Sequence, residues 1–306
     1  MDALNKTISV IEPVSEAIEK TKTILFRPFD AEKWLAIGFC AWLENLLQGG
    51  GHGIGNFNNF KHHPAAEPAK ILEFFRFHFV AVSIFTSIAA VFIIGFLILF
   101  LWLSSRGQFM FLDCLAKNKA QIVQPWQTFK RQANSLLGFR LSVMVIGFAV
   151  ISAMVVPIIF LALAARASAP IAIIAILMIF VMVMLIITVA SILGLIRALA
   201  FDFVVPIMYV QKINILAAWG RFWPMLKSHF WKIILYLLFK ILITICIGAI
   251  VAFIFLLGCC MCCVSVILLI PYIGTVILLP FPSFSRLYTL CFLKQFGSEY
   301  DVFASA

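Results

Sequence analysis

Charge is what this chain has least of. Only 12% of its 306 residues are Asp, Glu, Lys or Arg, with 13 acids against 23 bases, and soluble domains carry about twice that charged fraction. Between Lys240 and Arg286 there is no charged residue at all. A soluble fold with a polar coat is excluded. Catalytic patterns are missing too: there is no Gly-x-Ser-x-Gly elbow, no His-Glu-x-x-His pair and no set of Ser, His and Asp at a useful spacing. GGGHGIGNF lacks the closing Gly-Lys-Ser/Thr of a phosphate loop. No apolar segment holds two carboxylates for acid–base work. An enzyme is therefore not expected, nor a cofactor. The first 23 residues contain no apolar run of signal-peptide length, so the first span is expected to direct insertion.

What is present is apolar. Hydrophobic residues make up 64% of the chain, 32 of them Phe, and the mean hydropathy is +1.10. An all-α, polytopic membrane protein follows, because a span needs about 20 apolar residues. Apolar runs at 79–103, 141–164, 170–195 and 233–257 are long enough. A shorter segment at 34–48 and the second half of the uncharged stretch, 262–281, bring the expectation to about six transmembrane helices in one membrane domain covering 1–306. Apolar residues at helical spacing predict interfacial amphipathic helices near 13–25, 119–137, 212–230 and 283–296. Aligned on Trp126 and Trp219, the 119–137 and 212–230 connections share Lys, Phe and Ser positions, which suggests two similar hairpin units.

The net charge of +10 would suit nucleic acid in a soluble protein. Here the bases are dispersed between apolar runs, so they signal topology and no nucleic-acid partner is expected. Eighteen lie before, after or in alternate connections of the six-span arrangement, and four in the opposite ones. Both termini are therefore expected in the cytoplasm, with Lys240 inside the fifth span snorkelling toward that face.

Ionisable residues within apolar segments are costly and mark function or pairing. Asp202, just before Pro206, is expected either to pair with Arg197 or to form a substrate or proton site; Arg106 and Asp113 repeat the pattern. Four histidines, His52, His62, His63 and His78, share one connection, but at no compact metal spacing. The GCCMCC stretch sets Cys259, Cys260, Cys262 and Cys263 at the midpoint of the uncharged run. They read as small packing residues at a turn, with a disulfide or a metal site as alternatives.

Five stretches carry a resemblance: FRPFDAEKWLAIGF, GGGHGIGNF, SSRGQFMFLDCLAKNKAQIVQPW, LIPYIGTVILLP and FLKQFGSEYDVF. Together they resemble an uncharacterised family of bacterial polytopic membrane proteins, a domain of unknown function akin to the membrane domains attached to some glycerophosphodiester phosphodiesterases. The resemblance implies a bacterial inner membrane and transfers no catalytic residue. The expected role is a non-enzymatic scaffold or accessory subunit. Its partners would be membrane lipids and a partner protein or a second copy. The alternative is a transporter or channel for a small solute or lipid, motivated by Asp202 and the proline-broken last segment.

Overall fold

A computed structural model describes residues 8–46, 79–164, 169–260 and 270–304. Every regular element among them is helical. In chain order these are α1 (Glu12–Phe26), α2 (Ala31–Asn45), α3 (Phe79–Lys117), α4 (Val123–Thr128), α5 (Lys130–Ala164) and α6 (Ala169–Leu199). A π-helical turn (Ala200–Val204) leads into α7 (Val205–Gln211), followed by α8 (Ile215–Ser228), α9 (Phe230–Cys260), α10 (Pro271–Ile277) and α11 (Pro280–Leu293).

Local signals set the first helix starts. Ser9 Oγ accepts the amides of Ile11 and Glu12, each at 3.3 Å, ahead of α1, whose first turn holds Pro13. Asp30 caps α2 through the amides of Glu32 (2.9 Å) and Lys33 (3.4 Å).

Four stretches are long and apolar enough to cross a membrane: Val82–Lys117, Lys130–Leu163, Ala172–Gln211 and Phe230–Gly258. A fifth results if Pro271–Ile277 and Pro280–Phe296, bent by 65°, are taken as one span. At 39 residues, α3 is roughly 58 Å long, about twice a hydrocarbon core. Burial shows how that length divides. Large apolar side chains are exposed from Val80 to Leu99 on α3, Met144 to Leu163 on α5, Ile173 to Leu195 on α6 and Ile234 to Leu257 on α9. Each stretch approximates the ~20 residues a bilayer needs. Below them the same helices become buried, with Phe109 to Leu112, Ala133, Leu136 and Phe203 to Val205 inside one core. The molecule is thus four apolar shafts standing on a packed end, which also holds α1, α2, α8, α10 and α11.

Several boundaries depart from those read in the sequence. Residues 104–117 continue α3, because their polar side chains are buried against α2 and α7. The helix expected over 119–137 is split: α4 ends at Thr128, Phe129 breaks the turn (φ −97°, ψ 16°), and α5 continues without interruption into the apolar shaft. At 15 residues, about 22 Å, α2 is too short to cross and lies antiparallel to the buried half of α3. Lys33 Nζ reaches Asn118 Oδ1 (2.6 Å) at one end and Ser104 Oγ donates to the Glu44 carbonyl (2.9 Å) at the other. The α1 and α11 helices pack on each other, tied by Tyr288 OH to the Val10 carbonyl (3.2 Å). Residues 262–269 of the segment expected to span 262–281 fall outside the described residues. Its described end, α10, packs on α2, with Trp34 Nε1 donating to the Val276 carbonyl (2.8 Å).

The two-unit organisation appears in the backbone. Long helices end at Asn118 (φ 56°) and Lys212 (φ 54°), both left-handed. Each is followed by a short Pro-containing helix, α4 or α8, and then by a shaft starting at Lys130 or Phe230. A side-chain contact pins each reversal: Lys33 on Asn118, and Gln132 Nε2 on the Lys212 carbonyl (3.1 Å).

Candidate functional site

Where the shafts meet the packed end, buried polar side chains from α2, α3, α5, the π turn, α9 and α11 join in one network. Its centre is Arg286 of α11, 2% exposed. Pro206 has no N–H to return to the preceding turn, and the free carbonyl of Phe201 instead accepts from Arg286 Nη1 (2.8 Å). The guanidinium lies on the Phe201 ring, 4.1 Å from its centroid. Its Nε stands 3.7 Å from Glu44 Oε1, too long for a direct hydrogen bond, and neither atom has another partner. The chain of contacts continues from the Glu44 carbonyl to Ser104 Oγ, which, with Ser105 Oγ, accepts from Arg140 Nη1 (3.1 and 3.4 Å). On the other side of Arg286, Asp202 of the π turn pairs with Lys240 of α9. Lys240 also approaches Thr289 Oγ1 (3.5 Å), itself hydrogen-bonded to Tyr236 OH (2.7 Å).

A second buried acid closes the lower part of the core. Asp113 Oδ1 takes Lys117 Nζ and Tyr209 OH, both at 2.8 Å. Phe129 stacks on Tyr209 with centroids 4.8 Å apart, so the break between α4 and α5 packs onto this pair. Arg106 lies with its guanidinium 4.6 Å from both the Trp102 and Trp126 rings and donates to the Trp126 carbonyl (3.3 Å).

The two acids singled out in sequence are therefore both buried and paired, but not with the arginines expected. Asp202 follows Arg197 by five positions, which sets them roughly 140° apart around a helix; Asp113 follows Arg106 by seven, about 10 Å along it. Arg197 is exposed. The sequence pattern missed Glu44, Arg140, Lys240 and Arg286 as one group. Lys240 carried a signal, being the one charge inside its apolar run, but its partner lies on another helix.

Burial raises the Glu44 carboxyl to about 7, with Arg286, Arg140 and Lys240 acting in the opposite direction. Glu44 is 2% exposed, so its charged form depends on those cations. The network can hold six elements together and bind or release a proton at Glu44. Among the described residues no three His, Cys, Asp or Glu side chains group as metal ligands. His52, His62, His63 and His78 lie outside the described residues, as do Cys262 and Cys263, while the backbone of Cys259 and Cys260 closes α9.

Four apolar helices fit to cross a membrane and a packed helical end define an architecture consistent with a multi-pass membrane protein. The chain belongs to a family of unknown function (DUF7544), whose model matches residues 8–278. No curated protein and no solved structure matches it.

Proposed function

We propose that the protein is a non-enzymatic membrane scaffold or accessory subunit that organises lipids or a partner protein. One observation carries this: the apolar shafts offer a solute no charge and few polar groups to bind. No charged residue lies in 79–103, 141–164 or 241–260. The hydroxyls of Ser83, Ser87, Ser142, Thr188, Ser191 and Thr244 turn back onto carbonyls of their own helices, where they are satisfied without a ligand. Apolar surface faces outward on all four shafts. Such surface suits lipid or the helices of another protein. The bases of 1–33, 104–140 and 196–232 flank the packed end that holds α1 and α11, which fits a cytoplasmic packed end with both termini on that side, and the resemblance fits a bacterial inner membrane. The likeness to membrane domains of glycerophosphodiester phosphodiesterases fits an accessory role beside a separate enzyme.

The transporter reading draws on one feature, the π turn that carries Asp202, since such turns recur at functional sites. Photo-crosslinkers placed at the exposed Leu238 and Ile245 of α9, with Tyr236 as a buried control, separate the two in native membranes. A scaffold gives a discrete protein crosslink at the exposed positions, and its proteoliposomes show no solute flux above empty ones. Lipid-only crosslinks together with a flux abolished by D202N would establish the transporter instead.

A further inference from the structure

Two arginines face each other at the foot of the groove between α5 and α6. The helices touch at Gly147, where an added Cβ would stand 3.0 Å from Leu193 Cδ1. Arg140 lies seven residues before Gly147, about two turns, and Arg197 four residues after Leu193, about one turn. Both therefore sit on the faces that the antiparallel pair turns toward one another, on the packed-end side of the crossing. The positive field of Arg197 reaches Arg140.

The Glu44 carboxylate also acts on Arg140, against the added positive charge of Arg286, but among the described residues no ion pair joins a carboxylate to Arg140 or Arg197. The ion pairs at the surrounding acids go elsewhere, Asp202 to Lys240, Asp113 to Lys117 and Glu44 to Arg286. Arg140 spends its Nη1 on Ser104 and Ser105, and Arg197 is exposed. Immediately above the pair the groove is apolar, with Met144 exposed on α5 and Leu193 half-buried on α6. Two like charges at the edge of a low-dielectric layer repel strongly unless an anion lies between them. In a bilayer the anion at that depth is a lipid phosphate, which two guanidiniums grip in a forked geometry.

We propose that Arg140 and Arg197 bind the phosphate of an anionic phospholipid, whose acyl chains run up the α5–α6 groove. This rests on the four helices spanning a membrane and not on the scaffold role, since a transporter would hold such a lipid equally well.

Native mass spectrometry of the full-length protein in mild detergent tests it, with phosphatidylglycerol and phosphatidylcholine as probes. Wild-type protein should retain one phosphatidylglycerol in preference to phosphatidylcholine. R197Q and R140Q should each retain about tenfold less, as expected for losing one charge-assisted contact. R197K should fall between, keeping the charge without the fork, and K232Q, at an exposed base outside the groove, should match wild type. Arg197 is exposed, so R197Q should keep the wild-type circular dichroism and melting profile even where R140Q misfolds. Undiminished phosphatidylglycerol retention by R197Q would overturn the proposal, as would equal retention of phosphatidylcholine. Displacement of the lipid by millimolar inorganic phosphate would reassign the site to free phosphate and equally overturn the lipid assignment.

Discussion

Lys240 of α9 and Asp202 of the π turn form an ion pair in which the carboxylate is almost wholly buried and the ammonium side chain is 18% exposed. It joins the second hairpin's two shafts at the level where both enter the packed end. Removing one partner leaves a buried charge uncompensated, whereas removing both does not. K240M alone should therefore destabilise the protein by about 3–5 kcal/mol, and D202N/K240M should recover most of that loss. Denaturant titrations of the three variants in one detergent would check the cycle; equal losses for the single and double variants would contradict a buried pair.

Gly107 lets α2 reach α3. A Cβ there would lie 2.6 Å from Leu43 Cβ and 2.7 Å from the backbone of Leu43 and Glu44, atoms that cannot swing aside. G107A should cost about 1–3 kcal/mol through overpacking and loosen α2. Gly95, on the same helix with nothing within 4 Å of its Cβ position, is the matched control: G95A should be neutral or gain up to about 1 kcal/mol of helix propensity. Melting curves of the two alanine variants decide the point.

Particular residues show what the sequence revealed and what it withheld. The all-helical class and the four apolar shafts were legible, because a run such as 79–103 has only one low-energy solution in lipid. The lower half of α3 was not: Ser104, Ser105, Arg106, Gln108 and Asp113 look like the start of a polar connection, and only tertiary burial keeps them helical. Asp202 was legible as a costly acid in an apolar run. Its partner Lys240 was not, nor was Glu44 beside Arg286, since such pairs depend on how distant helices cross. Local spacing favoured Arg197 and Arg106, and the geometry of a single helix rules both out as partners.

Tyr209 supplies one of the two contacts to buried Asp113. Y209F should cost about 1–2 kcal/mol, the worth of a hydrogen bond to a charged acceptor. With Lys117 replaced by Met the same change should cost more, because Tyr209 is then the remaining donor to Oδ1. Chemical denaturation of the single and double variants measures the difference; strict additivity would count against a shared site.

Glu44 gives the fold a pH dependence of unusual sign. Its carboxyl titrates near 7 when folded, up from an ordinary value of 4.5, so between these values the folded state holds a proton that the unfolded chain has released. Stability is then fully present below about 4.5, declines as pH rises through that window and levels off above about 7. The interval corresponds to on the order of 3 kcal/mol. Wild-type protein should melt at a higher temperature at pH 5.5 than at pH 8, and E44Q, which cannot ionise, should lose most of that difference. E44Q also removes the negative charge facing Arg286, so its absolute stability at pH 8 reflects two opposed effects; the slope against pH isolates the titration. A slope unchanged by E44Q would place the titrating group elsewhere, and a wild-type profile rising with pH would contradict the buried, weakly compensated carboxylate.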